Sequence, residues 1–402
     1  MLHIMHYKLQ CYEIEGNIIA ALKYRDRISD IHIFYPERGH FEKLFPAMLE
    51  PFPALTRLYL SATPCGPPVL IPEAFLDGYA PRLRSFTLHD IAFPTLPKFV
   101  SRTTHIVTLR LLRMPSSEYT SISPEVMATC LPALPDLETL SIGFGLRPSS
   151  SLQTMLPGLP KLTRAVFPSL KNFQFVGIRE YLEDFIARID TPLLDQLILS
   201  FSPDFIPNTP QLHQFVGRTQ SLRSLGHAQV RFSKFIAAIT LGSPARFVLE
   251  IHYNGPVPLP PVTQIPDQLL SSVTQICNDC SPYLMQVDHL DMDVDFDLEL
   301  VEKNSDEPSQ WLELLRPFSG VRSFSVSDKL EPFVTATLRE LTGERTMEVL
   351  PTLENIVLDE LGPRSSTWGV MGPFISARQL SDRPIVIQRQ KRHPRPVAKF
   401  HV

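Results

Sequence analysis

The sequence predicts an α/β solenoid, with parallel strands stacked along one axis and a helical return after each. Three observations carry this. One spacing of apolar residues recurs ten times, and it recurs at similar steps. Prolines also outnumber glycines, 39 to 17. Proline donates no backbone hydrogen bond and sits badly inside helices and central strands, so this chain needs many loops. A repeat with two turns per unit supplies them.

The spacing is φ-x-x-φ-x-φ, with φ apolar. It occurs at Ile28/Ile31/Ile33, Leu55/Leu58/Leu60, Leu83/Phe86/Leu88, Ile106/Leu109/Leu111, Leu137/Leu140/Ile142, Leu170/Phe173/Phe175 and Leu194/Leu197/Leu199. It returns at Val287/Leu290/Met292, Val321/Phe324/Val326 and Leu353/Ile356/Leu358. The first positions advance by 27, 28, 23, 31, 33 and 24 residues, and by 34 and 32 in the last group. The closing φ-x-φ has period two, so both side chains share one strand face. The first φ belongs to the turn that enters the strand. One such unit cannot bury its apolar face alone, and stacked units bury a continuous core. Spacing and step together are leucine-rich-repeat-like. The predicted fold is therefore an LRR-like solenoid with parallel strands on the concave face and helices on the convex face. The Asn or Cys that closes that signature is replaced by Thr63, Ile91, Met114, Gly145, Ile178, Ser202, Lys329 and Leu361, so the repeats are expected to be irregular.

In chain order, residues 1–27 read as a partial N-terminal repeat, with a helix from Gly16 to Tyr24. Residues 28–388 form the solenoid, residues 254–266 a Pro-rich insertion, and residues 389–402 a basic flexible tail. Apolar residues at helical spacing place return helices at Phe41–Leu49, Pro124–Leu131, Ile178–Ile189, Thr209–Val216, Gln268–Asn278, Ser309–Leu315 and Pro332–Leu341, the last stopped by Gly343. The centre is weak. Leu222/Leu225 opens a repeat whose third slot holds His227, and Phe247, Leu249 and Ile251 alternate as a strand.

A net charge of −4 does not suit a nucleic-acid protein. Five scattered cysteines are no disulfide framework, the N-terminus lacks a signal-peptide pattern, and no apolar run spans a bilayer. The expectation is a cytoplasmic or nuclear protein with no nucleic-acid or membrane partner.

No phosphate-binding loop, nucleophile elbow or His-Glu-x-x-His motif occurs, so no catalytic residue and no cofactor is expected. The stretch from Asp291 places acids at positions 1, 3, 5, 7 and 9, with Glu302 at position 12. A calcium loop needs Gly at position 6, where Phe296 stands. The alternation instead reads as a strand, with Asp288, Asp291, Asp293, Asp295 and Asp297 along one exposed edge. Cys277-Asn-Asp-Cys280 lacks a second pair for zinc and reads as helix packing. What remains is the set of x positions flanking each strand's apolar pair. Of these, His32, Arg57, Tyr59, His89, Arg110, Gln174, Asp291 and Asp293 are the candidate partner-binding residues.

The stretches Pro51–Leu60, Ala80–Leu88, Glu180–Asp190, Trp311–Phe318 and Glu340–Arg345 resemble a large family of fungal F-box/leucine-rich-repeat-like proteins. The resemblance implies a non-catalytic scaffold for an unknown protein substrate, acting as the substrate-recognition part of a ubiquitin-ligase receptor. It covers the repeats and not the F-box, for which the 27 residues before Ile28 leave no room. A Skp1-type adaptor is thus a partner only if an F-box exists upstream. The alternatives are a truncated or decaying copy, or a metal-binding module around Asp291–Glu302.

Overall fold

The computed structural model describes residues 2–6, 12–35, 38–63, 68–115, 122–144, 164–201, 209–223, 225–242, 246–252, 265, 267–296, 307–341, 343–359 and 367–390. The chain divides into two units, Met1–Leu197 and Ile198–Val402. The strands of unit one are β1 (Leu2–His6), β2 (Ile28–Tyr35), β3 (Arg57–Ala62), β4 (Val69–Leu70), β5 (Ser85–His89), β6 (Ile91–Ala92), β7 (Thr108–Met114), β8 (Thr139–Phe144), β9 (Ala165–Val166), β10 (Asn172–Gly177) and β11 (Ile189–Asp190). The unit boundary falls within β12 (Gln196–Phe201).

The main sheet of unit one runs β1-β2-β3-β5-β7-β8-β10, and every pairing is parallel. Leu60 pairs with Leu88, Leu88 with Leu111, and Leu111 with Ile142, so neighbouring repeats stack in sequence order. The two-residue strands form separate parallel pairs, β4 with β6 and β9 with β11.

Four of these strands are entered through the same turn. The N–H of the first apolar residue donates to the carbonyl three residues back: Leu55 to Phe52, Leu83 to Ala80, Leu137 to Leu134 and Leu194 to Thr191, at 3.1–3.2 Å. The carbonyl of the next residue then accepts two N–H bonds from the following repeat. Thr56 O takes Arg84 and Ser85, Arg84 O takes Val107 and Thr108, Val107 O takes Glu138 and Thr139, and Glu138 O takes Lys171 and Asn172, all within 3.1 Å.

The two inward positions of each strand build the core. One row is Ile31, Leu58, Phe86, Leu109, Leu140 and Phe173; the other is Ile33, Leu60, Leu88, Leu111, Ile142 and Phe175, and none exceeds 1% exposure. The returns cover this face. They are α1 (Tyr12–Leu22), α2 (Arg38–Leu44), α3 (Leu96–Val100), α4 (Pro124–Cys130) and α5 (Arg179–Ala187). Phe99 of α3 lies 5.5 Å from Phe86, and Phe185 of α5 lies 5.7 Å from Phe173, between ring centroids. The amphipathic α5 buries Tyr181, Leu182, Phe185 and Ile186, and the Tyr181 hydroxyl donates to Ile122 O at 3.0 Å. The helix expected over Phe41–Leu49 is two pieces, α2 and a 3-10 turn at Phe45–Met48, because Pro46 cannot donate the α-helical bond. The helix expected from Gly16 begins earlier, at Tyr12.

Unit two holds β13 (His227–Phe232), β14 (Ile236–Leu241), β15 (Phe247–His252), β16 (His289–Val294), β17 (Ser323–Val326), β18 (Asn355–Asp359) and β19 (Val386–Gln390). Its helices are α6 (Pro210–Arg218), α7 (Asp267–Asp279), α8 (Ser281–Leu284), α9 (Glu307–Leu315), α10 (Glu331–Arg339) and α11 (Thr367–Leu380). The strand order is β15-β14-β13-β16-β17-β18-β19. From β13 to β19 the pairing is parallel; β13, β14 and β15 are an antiparallel meander. This meander is a local exception within the parallel sheet, for a geometric reason. Three residues join β13 to β14, and a parallel crossover needs about a dozen or more. The Ser233 N–H donates to Ile236 O at 2.7 Å, and the Ile236 N–H to Ser233 Oγ at 3.0 Å, which locks the reversal.

The weak central repeat is also displaced. Gly226 O accepts Asp288 and His289 N–H, the position that Thr56 O occupies in unit one. The repeat is therefore Leu225/Ala228/Val230, with Ala228 and Val230 fully buried and paired with Leu290 and Met292. The Pro-rich insertion lies outside the described residues apart from Ile265, as does the basic tail from residue 391. β19 takes in the first two residues of the expected tail, Arg389 and Gln390.

Gly320 precedes β17 where the chain passes close to the backbone of Met285. A methyl group there would overlap the Met285 carbonyl oxygen, while the same group at Gly39 meets open space. Neither backbone can yield, so Gly320→Ala is expected to destabilise the protein by about 3 kcal/mol. Thermal melts followed by circular dichroism check this, with Gly39→Ala leaving the melting temperature unchanged or slightly raised.

Candidate functional site

Strand side chains alternate, so burying the apolar rows against the helices turns the x positions of unit one to the opposite face. Register sets them in rows. One row is His3, Asp30, Arg57, Ser85, Thr108, Thr139 and Asn172; the next is Met5, His32, Tyr59, Thr87, Arg110, Ser141 and Gln174. A shorter third row holds Phe34, Ser61 and His89. Of the residues picked from sequence, His32, Tyr59, Arg110 and Gln174 thus share one row, with Arg57 and His89 in the flanking rows.

The rows are tied crosswise. The His32 and Tyr59 rings lie 4.0 Å apart between centroids, tilted by 54°. Ser141 Oγ donates to Gln174 Oε1, and Asn172 Nδ2 to Thr139 Oγ1, both at 3.4 Å. Arg110 is exposed, whereas its row neighbours Thr87 and Ser141 are buried.

Asp30 is the more deeply buried of the two carboxylates described on this face, the other being Asp90. Arg57 Nε donates to its Oδ1 at 2.5 Å, Ser29 Oγ to its Oδ2 at 3.1 Å, and His3 Nδ1 forms an ion pair with it. Burial alone would raise the Asp30 carboxyl. The hydrogen bonds from Arg57 and Ser29 and the charges of Arg57 and His3 outweigh it and hold the group below its ordinary range. His3 was beyond sequence reasoning, because His6 stands in the third apolar slot of β1, opposite Ile33, and breaks the repeat spacing. At the strand ends, His89 Nδ1 lies 2.8 Å from Asp90 Oδ2, and Arg113 Nε lies 3.6 Å from Asp90 Oδ1.

In unit two the expected acidic edge is exposed at Asp288 and Asp295 and interlocked between them. Asp291 is 7% exposed and its Oδ2 lies 3.3 Å from His227 Nε2; Asp293 Oδ2 lies 3.8 Å from Arg231 Nε. Adjacent carboxylates in β16 would repel, and the neighbouring β13 supplies the compensating groups. Nearby, Ser200 Oγ donates to Glu250 Oε2 at 2.8 Å, with His252 Nε2 3.4 Å from the same oxygen. Asp297, Glu299 and Glu302 lie outside the described residues. Among the described residues, no three His, Cys, Asp or Glu side chains converge to hold a metal. Cys277 is fully buried in α7, and Cys280, just past its end, lines a small apolar pocket with Leu212, Val216, Leu222, Phe247 and Tyr283. Burial pushes the Cys280 thiol up to about 12 and raises Cys277 well above its usual range. Among the described residues no helix is long and apolar enough to cross a membrane.

No family model matches the sequence, and no curated protein matches it. Among solved structures, the chain is similar to the crystal structure of the leucine-rich repeat-containing protein LegL7 from Legionella pneumophila, at 14% identity and a TM-score of 0.30, covering 85% of this chain and 95% of that one. The chain's own ladder defines its class: it is a leucine-rich-repeat-like α/β protein, in which a recurring strand and return build a large parallel sheet.

Two measurements check this chemistry. The folded pKa of Asp30 is depressed, so its stabilisation is complete above the unfolded value, about pH 4, and is lost as pH falls through the folded value. Asp30→Asn is expected to lower stability at neutral pH and to flatten the acid limb of a stability–pH profile. In iodoacetamide labelling at about pH 8 with peptide mapping, Cys277 and Cys280 should stay unmodified until the chain is unfolded, since the thiolate is the reactive form.

Proposed function

We propose that the chain is a non-catalytic protein-interaction scaffold, and that the outward rows of unit one are its contact surface. One observation carries this reading. His32, Tyr59, Arg110 and Gln174 come from four different repeats, and strand register places them in a single row. A surface on a sheet backed by a close-packed core costs little ordering on binding, which favours recognition. Arg57 with Asp30 and Arg113 with Asp90 are cross-strand pairs, an arrangement that orients those side chains.

The resemblance of the repeat stretches to fungal F-box/leucine-rich-repeat-like proteins supports a finer reading. In it the partner is a substrate for ubiquitin-linked turnover, and the protein works in the cytoplasm or nucleus. A Skp1-type adaptor joins only where an F-box precedes the repeats, so copurification of that adaptor with the full-length gene product tests the finer reading alone.

The scaffold reading is tested by selecting random displayed peptides on the full chain. Peptides retained by the wild type should lose about tenfold or more in affinity on a Tyr59→Ala/Gln174→Ala variant that melts normally. Equal binding to both proteins would remove unit one's face as the contact surface.

A further inference from the structure

The exposed cations of this face are not equivalent. Arg57 stands over the buried Asp30, and Arg113 over the buried Asp90. Arg110 has no such support: among the described residues it pairs with no carboxylate. Thr87 and Ser141 flank it in its row, and Thr108 and Leu112 flank it on its own strand. The diagonal positions are Ser85 and His89 on β5, with Thr139 and Gly143 on β8. The one titratable group among these is His89, whose Nδ1 lies 2.8 Å from Asp90 Oδ2. Arg110 is thus a lone exposed guanidinium on a floor of small hydroxyl side chains.

Two strands away in the same row lies Tyr59, its ring against His32. Adjacent strands are about 4.8 Å apart, so the guanidinium row position and the aromatic pair are separated by about 10 Å. A segment in the polyproline II conformation advances about 3.1 Å per residue and turns the same face every third residue, so side chains three residues apart span that distance on one side.

We propose that unit one's face recognises an acidic protein segment crossing the strands, with an Asp or Glu carboxylate on Arg110 and an apolar or aromatic side chain, three residues away, on the His32–Tyr59 pair. This rests on the scaffold reading and adds the chemistry of its partner. Charge complementarity selects the occupant. The carboxylates Asp30 and Asp90 are recessed at 8% and 9% side-chain exposure, while the cationic ends of Arg57 and Arg113 stand outside them at 65% and 44%. The surface therefore turns positive ends outward. A nucleic acid fits less well, because a phosphate backbone calls for a track of unpaired cations and, among the described residues, this face has one.

The test uses the full chain and fluorescence anisotropy with labelled synthetic peptides. One carries Phe-Gly-Ser-Glu, a second has Gln for that Glu, a third has Lys, and a single-stranded oligothymidylate serves as the nucleic-acid probe. The Glu peptide should bind best, about tenfold tighter than the Gln peptide, and should weaken as salt rises. Arg110→Gln should erase that preference, and Arg110→Glu should transfer it to the Lys peptide, with the melting temperature of both variants unchanged. The idea is overturned by peptides that bind through Tyr59 with no preference for Glu, which leaves the scaffold reading intact. A preference that survives Arg110→Gln, or an oligothymidylate that binds as tightly as the Glu peptide, overturns it as well. Failure of every peptide here, together with failure of the random library, removes the scaffold reading too.

Discussion

One backbone carbonyl per repeat holds the ladder in register. Thr56, Arg84, Val107 and Glu138 each sit just after the first apolar residue of their repeat, and each offers an oxygen to two N–H groups of the next. A strand's polar backbone must find partners, and in a parallel stack those partners come only from adjacent strands. The doubled acceptor fixes where the next strand starts. A slip of one residue would turn every leucine of that strand to the wrong face. The same bond recurs in unit two at Gly226, Asp288 and Arg322, which is why its parallel ladder resumes in register after the meander.

At the last full repeat a side chain supports that turn. Arg378 of α11 is fully buried, and its terminal nitrogens donate to Leu350 O, to Pro351 O at 3.0 Å and to Met347 Sδ at 2.8 Å. Its guanidinium also lies 5.5 Å from the Phe374 ring centroid. Burial pushes its pKa down, since no carboxylate among the described residues offsets the loss of water. Leu350 O also accepts Leu353 N–H, so the arginine grips the turn that launches β18. A buried cation is a costly way to fill a core. Here it donates to the Pro351 carbonyl and adds a second bond to Leu350 O, neither of which an apolar residue of similar size could supply.

The ladder was legible in the sequence because its determinant is local: three apolar side chains within six residues. Legibility failed where another interaction took over. Ala228 is small enough to escape an apolar pattern, yet Leu225/Ala228/Val230 is the true central repeat, and the sequence offers Leu222/Leu225 as a decoy three residues early. Leu222 is itself fully buried, at the turn position that Phe52 and Ala80 occupy elsewhere. β14 was missed because an antiparallel reversal depends on the length of its connection, which periodicity does not report. The acidic run of β16 looked solvated because its partners, His227 and Arg231, lie about sixty residues away. The members of the polar face could be named from alternation alone. Their neighbours could not, because Asp30, Arg57 and His3 meet only through register.

The face and the core obey different rules, and this division makes the class suited to recognition. A change at Leu88 or Leu111 leaves a void between repeats and weakens the stack on both sides. Arg110 is exposed, so a change there acts mainly on charge and shape at the surface. Evolution can then rewrite one row while the other is held constant by packing. The crosswise pairs limit that freedom: Arg57 cannot be altered without leaving Asp30 buried and undercompensated. Arg110 carries no such structural duty. An exposed arginine among threonines and serines, with no carboxylate partner among the described residues, can be replaced at little cost to stability.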